Sequence, residues 1–188
     1  MSVGTSMLGA VAWPEGCGET ETLPCVDNAL FRCLMGSLMS GVSIVTTVGT
    51  QGRPFGMTCS AVCSLSPDPP LLLACISTPS ATLDAIQASR RFVVNVLDAE
   101  SNDISNCFAS RTPDKFSKVS WRFSELTGMP ILDATVARAE CTVHKALDAG
   151  DHMIVIGRIV GGEAKPDRFP LGYWRGSYVR AIRVRRSR

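Results

Sequence analysis

Residues 41–66, GVSIVTTVGTQGRPFGMTCSAVCSLS, constrain this chain more than any other stretch. Two runs of small and β-branched residues, 42–48 and 57–65, flank Gly49-Thr50-Gln51-Gly52-Arg53-Pro54. β-Branched side chains favour extended backbone, and glycine with proline favours a turn, so the pattern predicts a β-hairpin. The second run lacks bulk: Thr58, Cys59, Ser60, Ala61, Cys63 and Ser64 are all small. A strand without large side chains lets a flat molecule approach its main chain closely. A tightly packed sheet interface uses the same residue types, and composition alone favours that second use.

The rest of the chain supplies more strands than helices. Asp27 can cap a helix running to about Met39, with Leu30, Phe31, Leu34, Met35 and Leu38 on one face. Ser66-Pro67-Asp68-Pro69-Pro70 is a stiff connection before an apolar run at 71–77. Thr78-Pro79-Ser80 opens a helix at 81–88, FVVNVL at 92–97 reads as a buried strand, and 101–110 as a short helix. Residues 119–132 are irregular, 134–147 and 153–161 form a second hairpin across residues 148–151, and 178–184 is a last strand. No βαβ alternation is sustained, which disfavours a doubly wound parallel sheet. The expected fold is mainly β, a closed antiparallel split barrel with a few helical insertions. Residues 1–26 read as a flexible arm, 27–184 as the domain and 185–188 as a basic tail.

Composition removes several classes of function. A net charge of +2 is too small to imply nucleic acid, and the basic tail lacks the aromatic platform that single-strand binders use. No apolar run reaches membrane-spanning length, and no Lys or Arg precedes the short apolar patch at 7–13, which argues against a signal peptide. Eight cysteines in 188 residues are too few for a disulfide scaffold. Cys59, Cys63, Cys75 and Cys141 lie within apolar runs, where a free thiol acts as a small buried hydrophobe; a reducing, cytoplasmic setting fits.

Familiar catalytic motifs are missing. No G-x-G-x-x-G or G-x-S-x-G occurs, and Val42-Ser43 stands where a phosphate-binding loop opened by Gly36 and Gly41 would need Lys-Ser/Thr. Cys141 and His144 would point to opposite faces of one strand, so no metal site is expected. His152, beside Gly150 and Asp151, is either a solvated turn residue or a hydrogen-bonding group at the rim of a site. Tyr173-Trp174-Arg175-Gly176-Ser177-Tyr178 offers either core aromatics or a stacking rim with Arg175 as anion partner.

Taken in order, GVSIVTT (41–47), GRPFGMTCSA (52–61), SLSPDPPLLL (64–73), STPSAT (77–82), FVVNVL (92–97), CFAS (107–110), DKF (114–116), ECTV (140–143), GDHMIVIG (150–157) and RGSY (175–178) resemble the short-chain flavin reductase family, whose fold is the FMN-binding split barrel. The family includes reductase components of two-component flavin-dependent monooxygenases. The resemblance implies an NAD(P)H:flavin oxidoreductase: NADH, in preference to NADPH, gives hydride to FAD or FMN, and the reduced flavin leaves for a partner monooxygenase. It implies that Thr58, Cys59, Ser60 and Ala61 lie along the flavin ring. Ser77, Ser80 and Thr82 would hold the ribityl and phosphate portion, with Lys115 near phosphate and Phe116 against the flavin. His152 is the catalytic candidate, orienting rather than moving protons, with Tyr173 and Arg175 also on the nicotinamide side. The resemblance further implies a homodimer with flavin near the subunit boundary. Ser60-Ala61 departs from the bulkier pairs common in the family. A flavin-retaining electron carrier of the same fold is the competing reading. Among basic residues only Lys115, Lys118, Lys145 and Lys165 are lysines. That arginine bias suggests a GC-rich genome and a natural-product or antibiotic pathway, with phenol catabolism as the rival.

Overall fold

The computed structural model describes residues 24–182, so the arm up to residue 23 and the basic tail lie outside the described residues. The Asp27 carboxylate accepts from the Leu30 amide at 2.8 Å and starts helix α1, Asn28–Gly36. The helix stops at Gly36 rather than near Met39, because the chain turns there into β1, Ser40–Gly41. The predicted hairpin is present as β2, Ser43–Val48, paired antiparallel with β3, Pro54–Cys59. The expected continuous second arm is not. It breaks at Ser60-Ala61, and the chain resumes as β4, Val62–Pro67, which pairs with β5, Pro70–Ser77.

Ser80 caps α2, Ala81–Ser89, and β6, Arg91–Leu97, follows directly. Next come α3, Asn102–Ala109, and a single 3-10 turn, Lys115–Lys118. The region expected to be irregular contains a small two-stranded ribbon, β7, Trp121–Phe123, with β8, Pro130–Leu132. Three residues per strand are too few to show a period of two in the sequence. The second hairpin is longer than expected: β9 is Thr135–Ala149 and β10 is His152–Ala164, joined through Gly150 at φ 66°. His152 is thus the first residue of a strand, not a turn residue. The last described strands are β11, Leu171–Trp174, and β12, Ser177–Arg180; Gly172 and exposed aromatics mask the pattern of β11, and the strand expected at 178–184 stops at Arg180, its last two residues lying outside the described residues.

Among the described residues, the main sheet has seven strands in the order β3-β2-β6-β9-β10-β5-β4, every pair antiparallel. β1, β11 and β12 make a second sheet. One face of the main sheet buries Val45, Leu72, Ala74, Ile76, Phe92, Val94 and Val155, and α2 inserts Leu83 and Ile86 among them. Each of these side chains larger than alanine contributes about 1.5–3 kcal/mol on full burial. The other face packs Ile44 and Leu97 with Phe108 of α3 and Leu171 of β11. The two helices thereby pack on opposite faces of the β2–β3 hairpin, and the start of α2 meets the loop after α3 beside β3.

Candidate functional site

A cavity of about 460 Å³ opens where three segments meet. Pro54–Met57 of β3 form its floor, Ser80–Thr82 at the start of α2 form one side, and the 110–117 loop forms the other. The sequence builds each wall for a physical reason. Gly56 has no side chain, and a Cβ there would sit 2.7 Å from Phe108 and 3.3 Å from Phe116, so these rings close over the strand only because it is glycine. Ser80 Oγ accepts from the Leu83 amide at 3.4 Å, which fixes the helix start beside the cavity. The first amides of a helix lack intrahelical acceptors and carry partial positive charge, so this end suits an anion. Phe116 is held edge-on between Phe108 and Trp121, with ring centroids 5.1 and 5.2 Å away.

Lys115 crosses this wall. Its Nζ donates to the Phe108 carbonyl at 2.8 Å near the end of α3 and lies 5.9 Å from the Phe108 ring centroid. Burial lowers its pKa from the usual lysine value, since leaving water disfavours the ammonium form. Arg53 and Arg111 join it around the cavity, against Asp114 as the acidic member, so the lining has a positive balance.

Of the residues singled out in the sequence, Ser80, Thr82, Lys115 and Phe116 come together around this cavity. Thr58, Cys59, Ser60 and Ala61 do not line it. Thr58 Oγ1 donates to the Ser105 carbonyl at 2.6 Å, tying β3 to α3. Cys59 is buried, with its thiol 3.4 Å from the Cys75 carbonyl, and burial pushes its pKa up to about 11. Ser60 and Ala61 are exposed in the link between β3 and β4. The small-residue end of β3 thus bonds to α3 and β5, while Pro54–Met57 of the same strand face the cavity.

Cys141 is buried too, with its thiol raised to about 12 first by burial and then by Glu140, whereas Cys63 is exposed rather than buried. Its strand lies at the edge of the sheet, where one face meets solvent. Among the described residues no group of three or more His, Cys, Asp or Glu could hold a metal ion. No helix among them is long and apolar enough to cross a membrane.

Ser77 and His152 form a second pair, directly opposite each other across β5 and β10. Thr78 gives both its amide and its hydroxyl to the Asp151 carbonyl, at 2.9 and 3.0 Å, so the β9–β10 turn is fastened to the loop that leads to Ser80. His152 Nδ1 is 2.7 Å from Asp151 Oδ1, and this hydrogen bond holds the Asp151 carboxyl below its ordinary pKa. Tyr173 and Arg175 belong to the β11–β12 hairpin instead. Arg175 adopts φ 47°, its amide donates to Gly36, and its guanidinium lies 4.7 Å from the Trp174 ring centroid. Tyr173 packs against Tyr178, whose hydroxyl is 2.7 Å from the Asn106 side chain of α3.

The chain is 48% identical over 157 residues to a flavin reductase (NADH) from Kitasatospora aureofaciens, covering 82% of each chain. It is 39% identical over 156 residues to the reductase subunit HsaB of a flavin-dependent monooxygenase from Mycobacterium tuberculosis, again covering 82% of each. In three dimensions it matches the NADH:FAD oxidoreductase SgcE6 of Streptomyces globisporus, solved in complex with NAD and FAD fragments, with a TM-score of 0.79 at 31% identity. That match covers 83% of this chain and 93% of the other. The flavin reductase like domain matches residues 35–181, most of the chain and all the segments around the cavity, and the chain belongs to that family.

Proposed function

We propose that this protein passes hydride from NADH to a flavin seated in the cavity between β3, α2 and the 110–117 loop, and that the reduced flavin leaves for a partner monooxygenase. One observation carries the reading: the Ser80, Lys115 and Phe116 segments, far apart in sequence, converge on a single positively biased cavity beside a helix N-terminus. The nicotinamide supplies two electrons and a hydrogen nucleus together, so the protein needs no strong acid or base. Its own groups hold the flavin phosphate against α2 and Lys115, pack Phe116 on the ring and exclude water. His152 serves the nicotinamide side, held in orientation by Asp151.

The test is NADH oxidation with and without added FAD or FMN. Colourless protein that oxidises NADH only when flavin is supplied is the expected result; a tightly held yellow cofactor would favour the electron carrier. His152→Ala is expected to slow reduction or raise the nicotinamide KM roughly tenfold, the worth of one hydrogen bond of about 1.4 kcal/mol, while flavin affinity is kept. Unchanged kinetics would remove His152 from the site.

Two structural readings accompany this function. The main sheet is inferred to close into a barrel, because β3 and β4 occupy its opposite edges yet are joined by only Ser60 and Ala61. Seven flat strands would span about 29 Å, and a two-residue link reaches only about 11 Å, so the edges must curl together. The Cys59 thiol at the end of β3 lies 3.4 Å from the Cys75 carbonyl of β5, a contact between the two ends of the strand order that supports that curl.

The second reading is a homodimer. α1 buries none of its residues, and Leu30, Phe31, Leu34, Met35, Leu38 and Met39 are each about half or more exposed. An apolar stripe of this kind marks an interaction surface, and a second copy is its assigned occupant. Sedimentation should give twice the chain mass, and Leu34→Glu should shift the protein toward monomer; a monomeric wild-type protein would sink the reading.

A further inference from the structure

A second cavity, of about 380 Å³, lies alongside the first and shares Arg53, Phe55 and Ala81 with it. Each is within the range of roughly 300–1,000 Å³ typical of small-ligand sites. The outer cavity has a distinct chemistry. Ala81, Ala85 and Ala88 recur along α2 and form a wall without projecting side chains. The Phe55 ring lies against Gly49, where a Cβ would come within 2.7 Å of it, so the ring is seated by the hairpin turn. Asp84 places a carboxylate in the same space, and the Arg53 guanidinium stands 5.7 Å from the Phe55 centroid at the junction of the two cavities.

We propose that the outer cavity takes an adenosine diphosphate group, the half by which FAD exceeds FMN, and so makes FAD the preferred flavin. This rests on the flavin reading of the inner cavity. A purine is flat and mostly apolar at its faces, which suits an aromatic ring and an alanine wall. A ribose diol donates hydrogen bonds, which suits the Asp84 carboxylate. The diphosphate links the two halves, and Arg53 is the cation where the cavities meet, able to grip two oxygens at once. No bond is made or broken: the outer cavity acts through binding alone.

The test is titration of the protein with FAD and with FMN, alongside Ala88→Trp and Asp84→Ala. Wild-type protein is expected to bind FAD at least tenfold more tightly than FMN, about 1.4 kcal/mol, with both variants bringing the ratio within about twofold mainly through loss of FAD affinity. Equal wild-type affinities, or a ratio that neither variant moves, would overturn the proposal. A raised KM for NADH with FMN as acceptor, at an unchanged flavin ratio, would give the cavity to the nicotinamide nucleotide and overturn its assignment to FAD. If neither flavin bound, the failure would belong to the inner cavity and hence to the proposed function itself.

Discussion

Replacing Gly56 with alanine is expected to lower flavin affinity at least tenfold and to destabilise the fold by about 1–3 kcal/mol. The methyl group would be placed 2.7 Å from Phe108 Cε1 and 3.3 Å from Phe116 Cζ. Phe108 cannot retreat: it is 1% exposed and packed with Val42, Ile44, Leu97, Leu132 and Leu171. Phe116 is the neighbour free to give, and it forms the wall of the proposed flavin cavity. Any shift there also disturbs Lys115, whose ammonium is tied to the Phe108 carbonyl. Flavin titration and urea unfolding read the two effects separately. Gly41→Ala is the control, because a Cβ at Gly41 meets nothing within 4 Å. Wild-type flavin affinity in Gly56→Ala would show that the cavity floor lies elsewhere.

How much of this was legible in the sequence depends on the range of the interaction. Caps and turns are local, and Asp27, Ser80 and the β2–β3 turn were found from single residues and short patterns. Long apolar strands such as β6 announce themselves because both faces are buried. The break at Ser60-Ala61 did not, since it depends on where β4 pairs, at the far edge of the sheet. At the site, Ser80, Thr82, Lys115 and Phe116 followed from the family resemblance and come together in space. Thr58–Ala61 followed from small size together with the same resemblance, and they lie outside the cavity lining, where Thr58 and Cys59 bond to α3 and β5. Arg53 and Phe55 were hidden in a turn-and-strand pattern that carries no chemistry of its own.

Asn95 shows what apolar context conceals, and it carries the second large expectation. It sits in FVVNVL, 0% exposed, in a strand otherwise read as hydrophobic. Its Nδ2 donates to the Ile44 carbonyl at 3.1 Å and to Thr46 Oγ1 at 2.9 Å, while Oδ1 accepts from the Leu132 amide at 2.9 Å. Thr46 in turn donates to the Pro130 carbonyl, so one amide joins β6, β2 and the β7–β8 ribbon. Asn95→Leu keeps the approximate volume and removes the three bonds that Asn95 itself makes. Each buried polar group left without a partner costs about 1–3 kcal/mol, so a total loss of about 3–5 kcal/mol is expected. Urea unfolding should show a lowered midpoint at an unchanged slope. The damage should also reach the site. Trp121 of β7 packs on Phe116, so freeing the ribbon loosens the cavity wall, and weaker flavin binding should accompany the lost stability. A variant destabilised by less than about 1 kcal/mol would mean that the partner groups find other bonds, and that β8 is held by Met129 and Ile131 against Val93 instead.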